Sequence, residues 1–586
     1  MRASVSIFVA CGLACGVVAQ PSLVESGSSA NKPGAPTLTG ASSPYDLSGS
    51  RPLDADASFG DLVAIGPATS PFDGPSISAL TGADRLYAEG YTGLGSVVAI
   101  IEAFAPSGTH NTMQHVGTVL TQDGTPVLAS SHPTYTSFVA TGRDTPGDVV
   151  ETGMAPGSTL WGGQLAVQGP TGLFTSDQLS FRTYIDAAIT GRQTGGQTAD
   201  VINMSFGFNN DGRTGFINDV MIDAVVEASG VIATASAGNR GETDGFVTSP
   251  GLGFNSIAVG ATGPSPDFAG RAVFSSAGPS TLAVPGSSIE FGNYASVDLV
   301  APGQDIIVPN PSVPDSYQLA SGTSFSAPTV GGGAALLVEA ARDQLASDVA
   351  ESATHGRTIR SVLMNSATKL NGWDNGQFID DGTLVDAGAI VTTQGLDWEQ
   401  GAGELNLDAA YDQLLGGTTD LAGSNGGVVD VLGWDIGSVE NGAEQFYAFG
   451  EQLAGGSELT ITLSWFAEFD ADFTFGTESV SDDRFADLDL FVYELDATGE
   501  IIGTLAASIS SVNETEHLTF TLADDTFVGF GVLGFGELWD FGADTTSTEY
   551  SIAFAGVGSG TAFIPAPAGA LAFGGFGLLA ARRRRG

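Results

Sequence analysis

The chain has 586 residues, 42% of them apolar and 34 of them phenylalanine, enough for two or three hydrophobic cores and too apolar for a disordered polymer. Its formal net charge is −47, and its only lysines are Lys32 and Lys369. Such a surface repels nucleic acid and anionic membrane and stays soluble in salt, so nucleic-acid partners are excluded and the charge reads as a solvated, salt-adapted face.

Residues 1–19 begin with Arg2 and an apolar run and end in small residues at Val17 and Ala19, the order of a secretory signal cleaved after Ala19. A lipoprotein signal ending at Cys15 is the alternative, weakened by Gly12 where a large apolar residue is usual. With cleavage after Ala19, Cys11 and Cys15, the only cysteines, leave with the signal, so the mature chain is expected to have no disulfide and no thiol chemistry. Residues 20–76 are rich in Ser, Gly, Pro and Ala and read as a low-complexity linker or short pro-segment.

Residues 77–416 alternate strand and helix patterns. Val97 to Ile101 and Val201 to Met204 are uninterrupted apolar runs, as expected of parallel strands covered on both faces. Between Thr214 and Gly230, Ile217, Val220, Met221, Ala224 and Val225 recur at helical spacing, Gly230 suits the C-terminal cap, and Val231 to Ala235 resumes as a strand. Strand, helix and strand in close succession imply right-handed crossovers in an α/β fold with a doubly wound, mainly parallel sheet. Active residues of such sheets collect at the carboxyl ends of strands. Further helices are predicted from Arg357 to Thr368 and from Leu407 to Leu415.

Residues 417–558 change character. Leu459, Ile461, Leu463 and Trp465 alternate with polar residues, as do Leu488, Leu490 and Val492, and a turn at Asp496 to Gly499 precedes Ile501 and Ile502. This pattern predicts an antiparallel all-β sandwich domain. Residues 559–586 close the chain with Pro565, Pro567, an apolar run from Ala568 to Ala581 and the arginines Arg582 to Arg585. That run is short for a lasting membrane span, and the basic cluster would stay on the cytoplasmic side.

The stretch from Ser321 to Ala341, SGTSFSAPTVGGGAALLVEAA, places Ser324 at the start of a tightly packed helix, where unpaired N–H groups and the helix dipole favour negative charge on a nearby oxygen. Gly331, Gly332 and Gly333 imply close approach of neighbouring backbone. The bland reading is a Gly/Ser-rich loop before a buried helix; the sharper one makes Ser324 a nucleophile. GTSFSAP resembles the nucleophile motif of the subtilisin-like serine peptidases, and further matches in chain order extend over roughly residues 80 to 416. The resemblance implies a subtilisin-like sheet. LTITLSW, DLDLFVYELDATGEI, NETEHLTF and YSIAFAG are similar to the pre-peptidase C-terminal domain, an accessory or binding module. The tail is similar to the PEP-CTERM sorting signal of Gram-negative bacteria, with Ala566 in place of the usual Glu; a simple C-terminal anchor is the alternative.

Acyl transfer needs a nucleophile, a base, a group orienting the base, and oxyanion donors. Of the five histidines, His355 follows the nucleophile helix and His517 lies in the second domain, leaving His110, His115 and His132. SSHPTYTSFVA is similar to the family's HGTHVAGT helix start: His132, Thr134 and Ser137 fall in step, while Pro133 replaces Gly and Tyr135 replaces the second His. Pro is well suited to a first helical turn. GMAPG, Gly153 to Gly157, follows as in the family. The resemblance therefore implies His132 as the base and Glu102, at the end of VVAIIEAF, as the orienting acid where the family carries Asp. The extra methylene requires a shift of about a bond length, and misplacement near 1 Å is costly. Asp144 and Asp148 are the other acids within reach of the pattern. ATASAGNRG matches the family's Ala-Gly-Asn segment, implying Asn239 as oxyanion donor with the Ser324 N–H as the second. MSFG implies that Ser205, Phe206 and Gly207 bind extended substrate backbone.

Two readings result. One is an exported serine endopeptidase, secreted or associated with the cell surface or matrix of a Gram-negative bacterium, acting as a monomer on polypeptides and touching membrane transiently through its signal and tail. The other is a catalytically degenerate relative whose cleft and sandwich bind protein or matrix polymer. No cofactor is required. Ca²⁺ sites among Asp482, Asp483, Asp487 and Asp489 cannot be assigned, because hard-cation sites also use backbone carbonyls.

Overall fold

A computed structural model describes residues 76–562 together with the short strands at 38–39 and 51–52, apart from residues 123–124, 144–151, 169–173, 177–180, 209, 242–244, 265–266, 285–286, 311–312, 315, 418–425, 475–477 and 542–545. The signal, most of the linker, the tail from residue 563 onward and the alternative acids Asp144 and Asp148 lie outside the described residues.

Seven strands form the first sheet: β1 (Val97–Glu102), β2 (Val119–Leu120), β3 (Thr159–Gln164), β4 (Val201–Met204), β5 (Ile232–Ser236), β6 (Ile257–Thr262) and β7 (Leu299–Pro302). Their spatial order is β7-β6-β5-β4-β1-β3-β2, and every neighbouring pair is parallel. The chain winds one way from β1 to β3 and the other way from β4 to β7, so the carboxyl ends of β1 and β4 flank a topological switch point. Successive side chains of β1 serve opposite faces: Val98 and Ile100 join one core, Ala99 and Ile101 the other.

Helices α1 (Ser131–Thr141), α2 (Ile217–Ser229), α3 (Thr323–Gln344), α4 (Gly356–Asn365) and α5 (Leu407–Gly416) cover these faces. Gly230 ends α2 with a left-handed φ of 68°, the conformation its sequence position predicts. α4 stops at Asn365, three residues short of the predicted Thr368. Among the described residues no helix is long and apolar enough to cross a membrane.

The β-rich remainder holds a four-stranded and a nine-stranded sheet. The first contains Leu432–Glu440, Glu458–Trp465, Thr515–Thr521 and Ser547–Ala555; the second is built around Ser479–Leu495 and Phe527–Asp540. Leu459, Ile461, Leu463 and Trp465 meet Leu488, Leu490 and Val492 in one core, as the alternation predicts. The ladders are antiparallel at the centre of the larger sheet, but Ile390–Thr392 pairs in parallel with Ile501–Ser508 and Gly427–Val429 in parallel with Glu444–Phe449. The first of these pairings brings in a strand that precedes α5 in sequence.

The polar residues alternating with that core do not face water. Thr460, Thr462 and Ser464 are buried, because α4 covers the outer face of the smaller sheet. Thr462 donates its hydroxyl to Asn365 Oδ1 at 2.9 Å, and the Ser361 and Ser551 hydroxyls pair at 2.8 Å. Asn255 binds the backbone of Ala467 twice, as donor at 2.9 Å and as acceptor at 2.8 Å. Phe254 packs with Phe485 and Trp539, so one aromatic cluster belongs to both halves.

At the centre of this junction lies Arg360 of α4, fully buried. It binds the Phe254 carbonyl at 2.6 Å, Asp298 at 2.6 Å and the Glu514 carboxylate, which also accepts from the Tyr294 hydroxyl at 2.9 Å. Burial alone would lower the Arg360 pKa, but Asp298 and Glu514 more than reverse this, so the guanidinium stays charged. Removing it would strand two buried carboxylates. Arg360→Met should therefore cost about 3–5 kcal/mol in urea denaturation, with both halves lost in one transition.

Candidate active site

Glu102 ends β1 at the switch point and is fully buried. Its carbonyl accepts from Leu165 N at 2.8 Å, which fixes the backbone and turns the side chain toward α1. His132 is the second residue of α1, and Pro133 follows inside the first turn, where no intrahelical N–H bond is required. His132 Nδ1 lies 2.6 Å from Glu102 Oε2. A carboxylate can only accept here, so Nδ1 carries the proton and Nε2 is the basic nitrogen. The other oxygen, Oε1, accepts from the Thr136 hydroxyl at 2.7 Å. His132 and Thr136 are four residues apart on one face of α1, and the longer acid spans them.

The other histidines are engaged elsewhere. His110 is buried rather than on the surface; it caps a short helical turn through Thr112 and reaches the Ser316 carbonyl at 3.1 Å. His115 meets the Thr141 hydroxyl at 3.2 Å, and burial, with help from Arg143, pushes its pKa down to about 4. His355 caps α4, and His517 bonds Thr462 inside the β-rich half.

Ser324 is the second residue of α3, and its Oγ donates to the Ser205 carbonyl at 3.2 Å. Pro328 lies four residues further along the helix and has no N–H to give the Ser324 carbonyl. Ser205 supplies the missing donor: its hydroxyl reaches that carbonyl at 2.9 Å. Thus the residue after β4 and the start of α3 are tied together in both directions.

Of the three α3 glycines, Gly332 meets neighbouring backbone, as the sequence predicts, whereas Gly331 and Gly333 face the side chains of Thr234 and Leu407. A Cβ on Gly332 would lie 2.6 Å from Met154 Cβ and 2.8 Å from the Ala140 carbonyl of α1. At the other end of the same contact the His132 and Phe325 rings have centroids 6.3 Å apart. Ala140 is eight residues beyond His132 and Gly332 eight beyond Ser324, so the helices run side by side in one direction, about 12 Å along their axes. His132 and Ser324 begin the two helices at this end, where the Ser324 hydroxyl donates to the Ser205 carbonyl rather than to His132 Nε2.

Asn239 follows β5. Its Oδ1 accepts from Thr323 N at 2.8 Å and from the Thr323 hydroxyl at 2.9 Å. A backbone N–H can only donate, so this contact fixes the amide orientation and leaves the NH₂ on the opposite side. A Cβ on Gly322 would stand 3.2 Å from Nδ2, so glycine keeps that side clear. The Ser324 N–H belongs to the first helical turn and has no intrahelical acceptor. Beyond Ser205, Phe206 packs edge-on against Phe208, and a Cβ on Gly207 would lie 2.1 Å from Thr248 Oγ1.

Glu102 thus ends β1, Ser205 and Asn239 follow the adjacent parallel strands β4 and β5, and His132 and Ser324 begin the two helices packed beside them. The description of the subtilase family matches residues 102–403, more than half of the chain. The chain belongs to the subtilase family. The subtilase is 27% identical over 309 residues to subtilisin DY of Bacillus licheniformis, a match covering 52% of this chain and 93% of that protein. It is 25% identical over 342 residues to subtilisin-like protease SBT6.1 of Arabidopsis thaliana, covering 58% of this chain and 28% of the relative. Among the described residues of the subtilase, no group of three or more His, Cys, Asp or Glu is placed to hold a metal ion.

Motif reading does not reach Thr136 or the role of Ser205 toward the nucleophile. The available signals are spacings: Thr136 stands four residues after His132, and Pro328 four after Ser324. Ser205→Ala should leave the buried Ser324 carbonyl without its hydroxyl donor and cost about 1–3 kcal/mol in thermal denaturation. Adding Pro328→Ala restores a helical N–H to that carbonyl, so the double variant should recover part of the loss.

Proposed function

We propose that the subtilase is an exported serine endopeptidase that hydrolyses peptide bonds of polypeptides. The observation that carries this is the 2.6 Å contact between His132 Nδ1 and the buried Glu102 carboxylate. Ser324 Oγ attacks the peptide carbonyl carbon as its proton passes to His132 Nε2. Glu102 orients the ring and stabilises the imidazolium. The Asn239 NH₂ and the Ser324 N–H donate to the oxyanion, a contribution of about 10²–10³ in rate for one such donor. His132 then gives its proton to the leaving amine nitrogen, the C–N bond breaks, and water hydrolyses the acyl-enzyme by the same steps. Ser205 to Gly207, beside the nucleophile, receive extended substrate backbone.

In this reading the protein is a monomer and needs no metal or cofactor. The β-rich half is an accessory domain of the pre-peptidase type. The signal and the PEP-CTERM-like tail direct export and retention at the surface of a Gram-negative cell. A cleft that merely binds polypeptide has no need of a buried carboxylate paired with a histidine, and this favours the enzyme over the degenerate relative.

A fluorophosphonate probe should label the purified, folded protein at Ser324; a folded chain that stays unlabelled overturns the proposal. Ser324→Ala should abolish hydrolysis of unfolded protein with Tm almost unchanged. His132→Ala should be as damaging, and the pair together little worse, because groups acting as one unit are not additive. Glu102→Gln should lower kcat by about 10⁴, and Glu102→Asp by far less. His110→Ala and His115→Ala should retain most activity.

A further inference from the structure

We propose that Thr136 is a positioning residue that holds the Glu102 carboxylate in the orientation in which Oε2 meets His132. The inference rests on the triad reading above and deepens it. A glutamate has one more rotatable bond than an aspartate, so its carboxylate must be fixed at a second point to present one oxygen reliably. The Thr136 hydroxyl does this from 2.7 Å, on the oxygen that His132 does not use.

A helical threonine often bonds its own backbone instead, and here the His132 and Pro133 carbonyls lie 3.4 and 3.3 Å from Oγ1. The hydroxyl has one proton. Its contact with the carboxylate is the shortest of the three and is charge-assisted, the stronger kind of hydrogen bond. Thr136 is fully buried, so water does not compete for that proton, and β-branching restricts its χ1.

The test is kinetic, on the full chain, with Thr136→Val, Thr136→Ser and Thr136→Ala. Thr136→Val should lower kcat about 10- to 100-fold with KM and Tm little changed, the size expected for one hydrogen bond to a charged group. Thr136→Ser should restore most of the loss. If Val is not accommodated, Ser against Ala, differing by one oxygen, gives the same comparison. In a Glu102→Asp background, whose carboxylate sits about 1.5 Å further back, Thr136→Val should change kcat less than about twofold. Wild-type kcat in Thr136→Val, failure of Ser to rescue, or an equal effect in the Glu102→Asp background overturns the proposal. If Glu102→Gln inactivates while Thr136→Val does not, the positioning role fails and the triad stands. If Glu102→Gln is itself harmless, the triad reading fails first.

Discussion

The side-by-side contact of α1 and α3 is the constraint on which the site depends. His132 and Ser324 each begin their own helix. Helices can approach this closely only if one lacks side chains where they touch, and Gly332 against the Ala140 carbonyl provides that absence. The depth of the contact is set eight residues away from the chemistry. Met154, from the GMAPG segment, closes the other side of the same glycine, which ties that motif to the packing of the two helices.

Around this contact the parallel sheet supplies the remaining groups in register. β1, β4 and β5 are neighbours, and the residues beyond their ends approach the two helix N-termini from below. Pro328 shows how local covalent chemistry enters. By removing one N–H from α3 it frees the Ser324 carbonyl, and the hydroxyl of Ser205 fixes the first turn to β4. Ser324 is thereby anchored to the sheet as well as to its helix.

Much of the fold was legible in the sequence. Apolar runs such as Val201 to Met204 have few other uses than strands buried on both faces, and α2 announces itself by spacing and by Gly230. The sandwich core followed from alternation at Leu459 to Trp465. The complementary face did not, because Thr460, Thr462 and Ser464 look solvent-facing until a helix distant in sequence covers them, its Asn365 accepting from Thr462. The strand at Ile390–Thr392, parallel to Ile501–Ser508, is three residues long and carries no periodicity to find. At the site, motifs indicated His132, Ser324 and Asn239, and the geometry brings His132 to Glu102. Thr136 was illegible because a buried hydroxyl in a helix ordinarily bonds its own backbone, and only the longer acid gives it another acceptor.

The Arg360–Glu514 ion pair joins residues 154 positions apart. During synthesis α3 and the parallel sheet emerge well before Glu514 does. Until then Arg360 has only Asp298 and the Phe254 carbonyl, and the Phe254 ring lacks Phe485 and Trp539, partners that local contacts cannot replace. A chain cut after α5 would expose buried charge and aromatic surface. The junction thus couples completion of the active half to arrival of nearly the whole polypeptide, an order of assembly written into the connectivity of the chain.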